Sequence, residues 1–302
     1  MNLNKPFRIE FEISSLCNAK CSDCQRTMLD NKGDYYFKGN ISMNQMCDWF
    51  DSVNLKNSKI KLCGVLGDPI INPECVDICS YLIFEKQVSR IEMSTNGGTR
   101  SKKFWKDLAE LSKESKLKTD DLSGLIVHWS IDGVTRNDYR ENVSIEKVWE
   151  NFEIYRNHGG RSIWQYIHFD YNEDEIPLAK QKAKELDIEL RIRVSWRNTR
   201  DNKFKSKESF KIDNDDYEKV KKRSKEKTYE KSNIVCRHKL ENEIFISSEG
   251  LVWPCCHLHD EQLSENVDII SKLNLKNDLK TNNFYDILSS SWYQKTLRES
   301  WN

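Results

Sequence analysis

Three cysteines, Cys17, Cys21 and Cys24, stand in the pattern Cys-x3-Cys-x2-Cys on one short loop. Thiolates this close in sequence can share a metal centre. Three of them can hold three irons of a [4Fe–4S] cubane and leave the fourth iron open. Joined by a distant Cys or His, the same three could close a tetrahedral zinc knuckle. An open coordination position marks a catalytic metal and a closed set a structural one. A second group, Cys236, Cys255 and Cys256, lies far along the chain. Of ten cysteines, seven precede residue 80, none falls between 80 and 235, and three lie within 236–256. That distribution reads as two ligand sets, not as the disulfide framework of a small secreted domain.

The next candidates sit in glycine-containing turns. In Cys63-Gly64-Val65-Leu66-Gly67-Asp68-Pro69, the glycines let backbone approach a ligand closely and Asp68 can receive an ammonium group. Ser94-Thr95-Asn96-Gly97-Gly98 is a second such turn and Ser130-Ile131-Asp132-Gly133 a third, the latter followed by Arg140. The planar donor fork of an arginine suits a carboxylate. Taken singly, each is an ordinary turn. Gln165 and His168 could reach a substrate, against the commoner state of a buried, hydrogen-bonded histidine. Arg26 could contact an anion or equally form a surface salt bridge. Cys75 and Cys79, at i and i+4 beside Val76, Leu82 and Ile83, read as core residues, as do Cys47 and Cys63.

These positions need a scaffold, and the hydrophobic pattern supplies one. Strands are expected at Phe7–Ile13, Lys59–Cys63, Arg90–Ser94, Leu125–Ile131, Ser162–Phe169 and Ile188–Val194. Between them come amphipathic helices. One opens at the capping box of Ser42 and Gln45 and runs to Val53, and one is capped by Asn72 with Pro73 behind it and runs to Lys86. Others are expected over Lys103–Lys113, Ile145–Arg156 and Pro177–Leu186. Six strand–helix units in order predict an α/β fold with a parallel sheet and right-handed crossovers, hence a partial (βα)6 TIM-like barrel. Its active face should lie at the strand C-termini. The cysteine loop and the three turns each follow a strand.

The organisation expected is a barrel over residues 1–200, a charged linker or helix over 201–232, and a small extension over 233–302. The extension combines a β-hairpin, Ile244–Ser247 with Leu251–Trp253 about Gly250, and a closing helix, Tyr285–Trp301. The 48 basic and 48 acidic residues cancel, so no global field draws the chain to nucleic acid or an anionic membrane. No apolar run approaches the roughly 20 residues that span a bilayer, and Met1–Pro6 lacks a signal-peptide pattern. A soluble, cytoplasmic protein is expected.

With cysteine loop and turns in this order, the sequence resembles the radical S-adenosylmethionine (SAM) superfamily over almost its whole length. The resemblance implies a [4Fe–4S] cluster on Cys17, Cys21 and Cys24, whose open iron chelates SAM. Cleavage of SAM to a 5′-deoxyadenosyl radical would then lead to hydrogen abstraction from a substrate. It implies SAM contacts at Gly67, Asp68 and Pro69 for the amino group, at Ser94, Asn96 and Ser130 near the ribose, and at Asp132 and Arg140, with Arg140 meeting the carboxylate. Asp68 stands where the family more often has Glu, and Asp23 where an aromatic residue is frequent. The spacing Cys236-x13-Gly250-x4-Cys255 resembles the Twitch extension, a shortened SPASM domain, which implies an auxiliary iron–sulfur cluster on Cys236, Cys255 and Cys256. His257, His259, a carboxylate or substrate would complete it; a zinc site or no metal are the alternatives. The substrate implied is a small polar metabolite or a peptide residue, undergoing oxidation, dehydrogenation or rearrangement. The reductant would be a flavodoxin or ferredoxin. A non-catalytic iron–sulfur or zinc protein used for electron transfer or interaction is the competing reading.

Overall fold

The structure, a computed structural model, describes residues 2–116, 123–194, 204, 236–265 and 276–299. The charged segment 201–232 lies outside the described residues except for Phe204.

Eight strands form one sheet: β1 (Arg8–Phe11), β2 (Lys59–Leu62), β3 (Arg90–Thr95), β4 (Gly124–Ser130), β5 (Ser162–His168), β6 (Glu189–Val194), β7 (Glu243–Ile246) and β8 (Val252–Trp253). Their spatial order is β6-β5-β4-β3-β2-β1-β7-β8. The six expected barrel strands are present and every neighbouring pair among them is parallel. The α/β class and partial-barrel architecture follow from that order.

Side chains alternate across a strand, and here the alternation separates two chemistries. Ile9, Phe11, Ile60, Leu62, Ile91, Met93, Val127 and Trp129 are almost fully buried in the main apolar core. They pack beneath helices α2 (Met43–Phe50), α3 (Cys75–Ser80), α4 (Lys102–Glu114) and α5 (Ile145–Asn157). Phe11 meets Phe50 of α2 edge-on at 5.8 Å, Trp105 of α4 stacks on Trp129 at 4.8 Å, and Trp149 of α5 meets Trp164 at 5.0 Å. Aromatic pairs at such spacings add about 1 kcal/mol each beyond their burial. The intervening residues Glu10, Lys61, Glu92 and Gln165 turn to the concave side, which is polar.

Local signals account for most helix starts. Ser42 and Gln45 form both bonds of the capping box, while Ser101 and Ser144 accept from Phe104 N and Lys147 N at the starts of α4 and α5. Three elements differ from expectation. The helix expected from Pro73 begins at Cys75, after a single 3₁₀ turn over Pro69–Ile71 that Asp68 caps. Asn72 still accepts from Glu74 N at 2.9 Å, but its Nδ2 donates to the carbonyls of Ile13 and Ile41, anchoring the end of β1. The closing helix is broken: one helix covers Phe284–Ser289, Ser290 is extended, and a π-type turn follows over Trp292–Thr296. The hairpin forms with Gly250 at φ +94°, and its first strand also pairs in parallel with β1, from Arg8↔Glu243 to Phe11↔Ile246. It therefore widens the barrel sheet on the side away from β2.

A helix over Cys256–Glu265 follows the hairpin. Its His259 is 4% exposed and stacks on Phe245 at 5.3 Å and 29°. Burial alone pushes its imidazolium down to about 4. In the unfolded chain it would titrate near 6.5. Between those values the unfolded state takes up the proton and the folded state does not, so stability is full above the window and falls as pH drops through it. Chemical denaturation should show a loss of about 2 kcal/mol between pH 7 and 5 from this group. His259→Gln should flatten that slope; an unchanged slope would exclude His259 as its source.

Candidate active site

Strand β1 ends beside the cysteine loop, which is clamped at its base by Ser15 N donating to Gly39 O at 3.0 Å. Cys21 is buried and Cys17 and Cys24 are half-buried. Cys24 N donates to Cys21 O at 3.1 Å, Ala19 N points at Cys17 Sγ at 3.4 Å, and Cys24 caps the helix α1 (Gln25–Lys32). Within this loop Cys17 lies in electrostatic range of Cys21. Burial pushes the Cys17 thiol up to about 12, nearby Asp68 adds to this, and the Ala19 N–H and Arg26 oppose it. A thiol so raised becomes a ligand only when a metal displaces its proton. Among the described residues no three Cys, His, Asp or Glu side chains converge on a single-ion site. A cubane has a different requirement, one iron per thiolate, and three thiols of one short loop, none of them fully exposed, fit it. Arg26 is buried, contrary to a surface role: it donates to the Ala19 carbonyl and pairs with Asp30 at 3.2 Å, bracing the loop.

The turn after β2 and the turn after β3 meet this loop. Asp68 is buried, and its Oδ2 accepts from Thr95 Oγ1 (3.0 Å), Asn96 N (2.8 Å) and Asn96 Nδ2 (2.8 Å), while Oδ1 accepts from Ile70 N (3.2 Å). With four donors on it, Asp68 joins the two turns. Asn96 Nδ2 also lies 3.5 Å from Cys17 Sγ and 3.0 Å from Asn18 Oδ1. Asp68 N donates to Leu16 O at 2.9 Å, which ties the β2 turn to the cysteine loop directly. Gly67 is there for space: a Cβ on it would sit 1.8 Å from the Ser14 carbonyl oxygen. Pro69 is buried as the first residue of the 3₁₀ turn.

Ser130 ends β4 half-buried, and beyond it Asp132 is fully buried. Asp132 Oδ1 accepts from Ile167 N at 2.9 Å and Oδ2 faces Arg140 Nε at 2.8 Å. Asp132 is thus placed to orient Arg140, whose side chain keeps 12% exposure. Arg140 also lies in electrostatic range of Cys21.

Below these turns lies the polar concave wall. Lys61 pairs with Glu10 at 2.8 Å, and Gln165 Nε2 donates to His128 Nδ1 at 3.0 Å. Burial pushes His128 down to about 4, with Glu92 opposing and Arg191 reinforcing, so it is neutral at pH 7. His168, three residues on from Gln165, falls on the opposite face: it is wholly buried and 3.7 Å from Glu173. Cys63 is also displaced from its expected place in the core; it sits near Lys61 and takes a hydrogen bond from Ser94. Sequence reading missed Glu12, Lys61 and His128. The signal was available, because His128 and Lys61 stand two residues before Ser130 and Cys63 and so share their face.

In the second cysteine group, Cys255 feels Cys236 and Glu243, and the rings of His238 and His257 lie 6.1 Å apart. Cys256 instead donates to Glu10 and lies near Lys61, at the concave wall. Cys255 thus lies in electrostatic range of both Cys236 and Cys256.

No protein-family model and no curated protein matches this chain. Solved structures do. Streptococcus suis SuiB bound to S-adenosylmethionine superposes with a TM-score of 0.59 at 15% identity, over 98% of this chain and 67% of that one. SuiB bound to precursor peptide SuiA gives 0.61 at 14% identity, over 97% of this chain and 66% of that one. Native anSMEcpe with bound AdoMet gives 0.59 at 12% identity, over 98% and 84%. The chain thus spans about two thirds of the length of SuiB. At these identities the likeness establishes the fold alone: this chain shares the partial α/β barrel of those structures.

Proposed function

We propose that the chain is a radical SAM enzyme with its cluster on Cys17, Cys21 and Cys24. The observation that carries the reading is the junction of Asp68, Asn96 and Cys17, through which two ligand-type turns are locked onto the cysteine loop. An electron carrier or zinc protein would need the loop without that junction. When bound, the cluster supplies the electron that cleaves SAM to a 5′-deoxyadenosyl radical, which takes hydrogen from the substrate.

The chain's own residues bind and orient. Arg140, aligned by Asp132, would meet the SAM carboxylate through its remaining donors. The Gly64–Pro69 turn, fixed by Asp68, would receive the amino group on backbone carbonyls, and Ser94, Asn96 and Ser130 would border the ribose. The wall of Lys61, Glu10, His128 and Gln165 favours a polar substrate, a small metabolite or a peptide residue, for oxidation, dehydrogenation or rearrangement. A flavodoxin or ferredoxin would serve as reductant. Among the described residues no helix is long and apolar enough to cross a membrane. We assign the auxiliary cluster, as a proposal, to the Cys236–Cys255 pair with other ligands completing it.

Anaerobic reconstitution with iron and sulfide, then dithionite and SAM, tests the reading. About four irons per chain indicate one cubane and about eight indicate two. Release of 5′-deoxyadenosine is expected; an iron-loaded chain that leaves SAM intact would be an electron carrier. Cys236→Ala should keep part of the cleavage, uncoupled from substrate.

A further inference from the structure

Glu12 lies one residue beyond β1, is 1% exposed, and meets no Lys, Arg or His among the described residues that shifts its charge. Burial raises its pKa, against which four donors act. They come from two distant parts of the chain. Oε1 accepts from Leu66 N at 2.7 Å and Gly67 N at 3.4 Å, both in the turn after β2. Oε2 accepts from Ser248 Oγ at 2.9 Å and Ser248 N at 3.3 Å, at the tip of the C-terminal hairpin. Gly64 makes room for it, because a Cβ there would come within 2.4 Å of Oε1. A carboxylate sheltered from water without a counter-cation is costly unless its lone pairs are filled, so each donor is held firmly to the place Glu12 dictates.

We infer that Glu12 is a positioning residue for SAM: its carboxylate holds the Leu66–Gly67 backbone against the hairpin, so that SAM affinity depends on a segment more than 230 residues away in sequence. This rests on the Gly64–Pro69 turn receiving SAM as proposed above. Leu66 and Gly67 have their N–H groups committed to Glu12, which fixes the orientation of the peptide planes in the turn. Loss of either end of the bridge frees those planes and lowers affinity without removing a SAM-contacting side chain. Cluster binding, which depends on the cysteine loop, should be spared.

The test uses the reconstituted holoenzyme and the variants Glu12→Gln, Ser248→Ala and the double variant. Glu12→Gln keeps the volume but puts an amide N–H where a second acceptor is needed. The expected result is a rise of about tenfold or more in the Kd and KM for SAM, with iron per chain and kcat at saturating SAM near wild type, as loss of a charged hydrogen-bond acceptor implies. Ser248→Ala, which removes one donor, should raise Kd about three- to fivefold. The double variant should bind SAM no more weakly than Glu12→Gln, because both changes break one bridge. A merely structural role would lower Tm and leave the SAM Kd of the folded holoenzyme alone. SAM affinity within twofold of wild type in both single variants, or strictly additive losses, overturns the inference. Failure of wild type to cleave SAM would instead sink the reading it rests on. Should Glu12→Gln not fold, Ser248→Ala alone decides.

Discussion

Cys17→Ala should remove about four irons per reconstituted chain and abolish 5′-deoxyadenosine formation. A cubane needs its three thiolates to stay bound while the fourth iron takes a ligand, and Cys17 is the thiol on which the site converges. Ala19 N and Asn96 Nδ2 both approach its sulfur, at 3.4 and 3.5 Å. Loss of that sulfur would therefore remove one of the proposed ligands and also release Asn96 from the loop. Cys75→Ala is the control. Cys75 is fully buried in the apolar core, so its replacement should lower stability by about 1 kcal/mol and leave iron content unchanged. Iron analysis with the charge-transfer absorbance measures the first effect and chromatography of the quenched reaction the second. Undiminished 5′-deoxyadenosine from Cys17→Ala would remove the basis of the assignment.

Gly67→Ala should be nearly as damaging, through sterics alone. The added Cβ would lie 1.8 Å from Ser14 O, 2.5 Å from Ser14 C and 2.8 Å from Ser15 C. All three are backbone atoms, so no rotamer change relieves the contact. The turn must withdraw from the cysteine loop, breaking the 2.9 Å bond from Asp68 N to Leu16 O and disturbing the four donors gathered on Asp68. We expect a loss of stability of about 2–4 kcal/mol and weakening of SAM binding by a factor on the order of 100, read by denaturation and by calorimetry on the holoenzyme. Gly33→Ala separates space from conformation. A Cβ at Gly33 meets nothing within 4 Å, but its φ is +73°, so it should cost about 1 kcal/mol and leave SAM binding unchanged. Equal SAM affinity in Gly67→Ala and wild type would mean that the turn is remote from the ligand.

The barrel was legible because its signals are local. Apolar alternation marks β1, β2 and β3, the Ser42–Gln45 pair marks a helix start, and the continuous apolar run Leu125–Val127 marks a strand buried on both faces. The cysteine loop was legible for the same reason: three ligands within eight residues need no tertiary information to be recognised as a set. The polar ends of strands were found, but the partners of each carboxylate were not. Asp132 and Asp68 read as ligand contacts because a carboxylate in a turn advertises charge. Only the fold revealed that one faces Arg140 and the other gathers donors from the turn after β3.

What the sequence by itself determined, then, is the order of βα units, the polarity of each face and the chemistry available at the strand ends, all set by periodicities of a few residues. What only the tertiary structure decided is which distant groups meet. The parallel pairing of β7 with β1, the bridge from Glu12 to Ser248, and the turning of Cys256 towards Glu10 depend on register and chain path. Those quantities come from the simultaneous packing of the whole sheet, and no short window of residues encodes them.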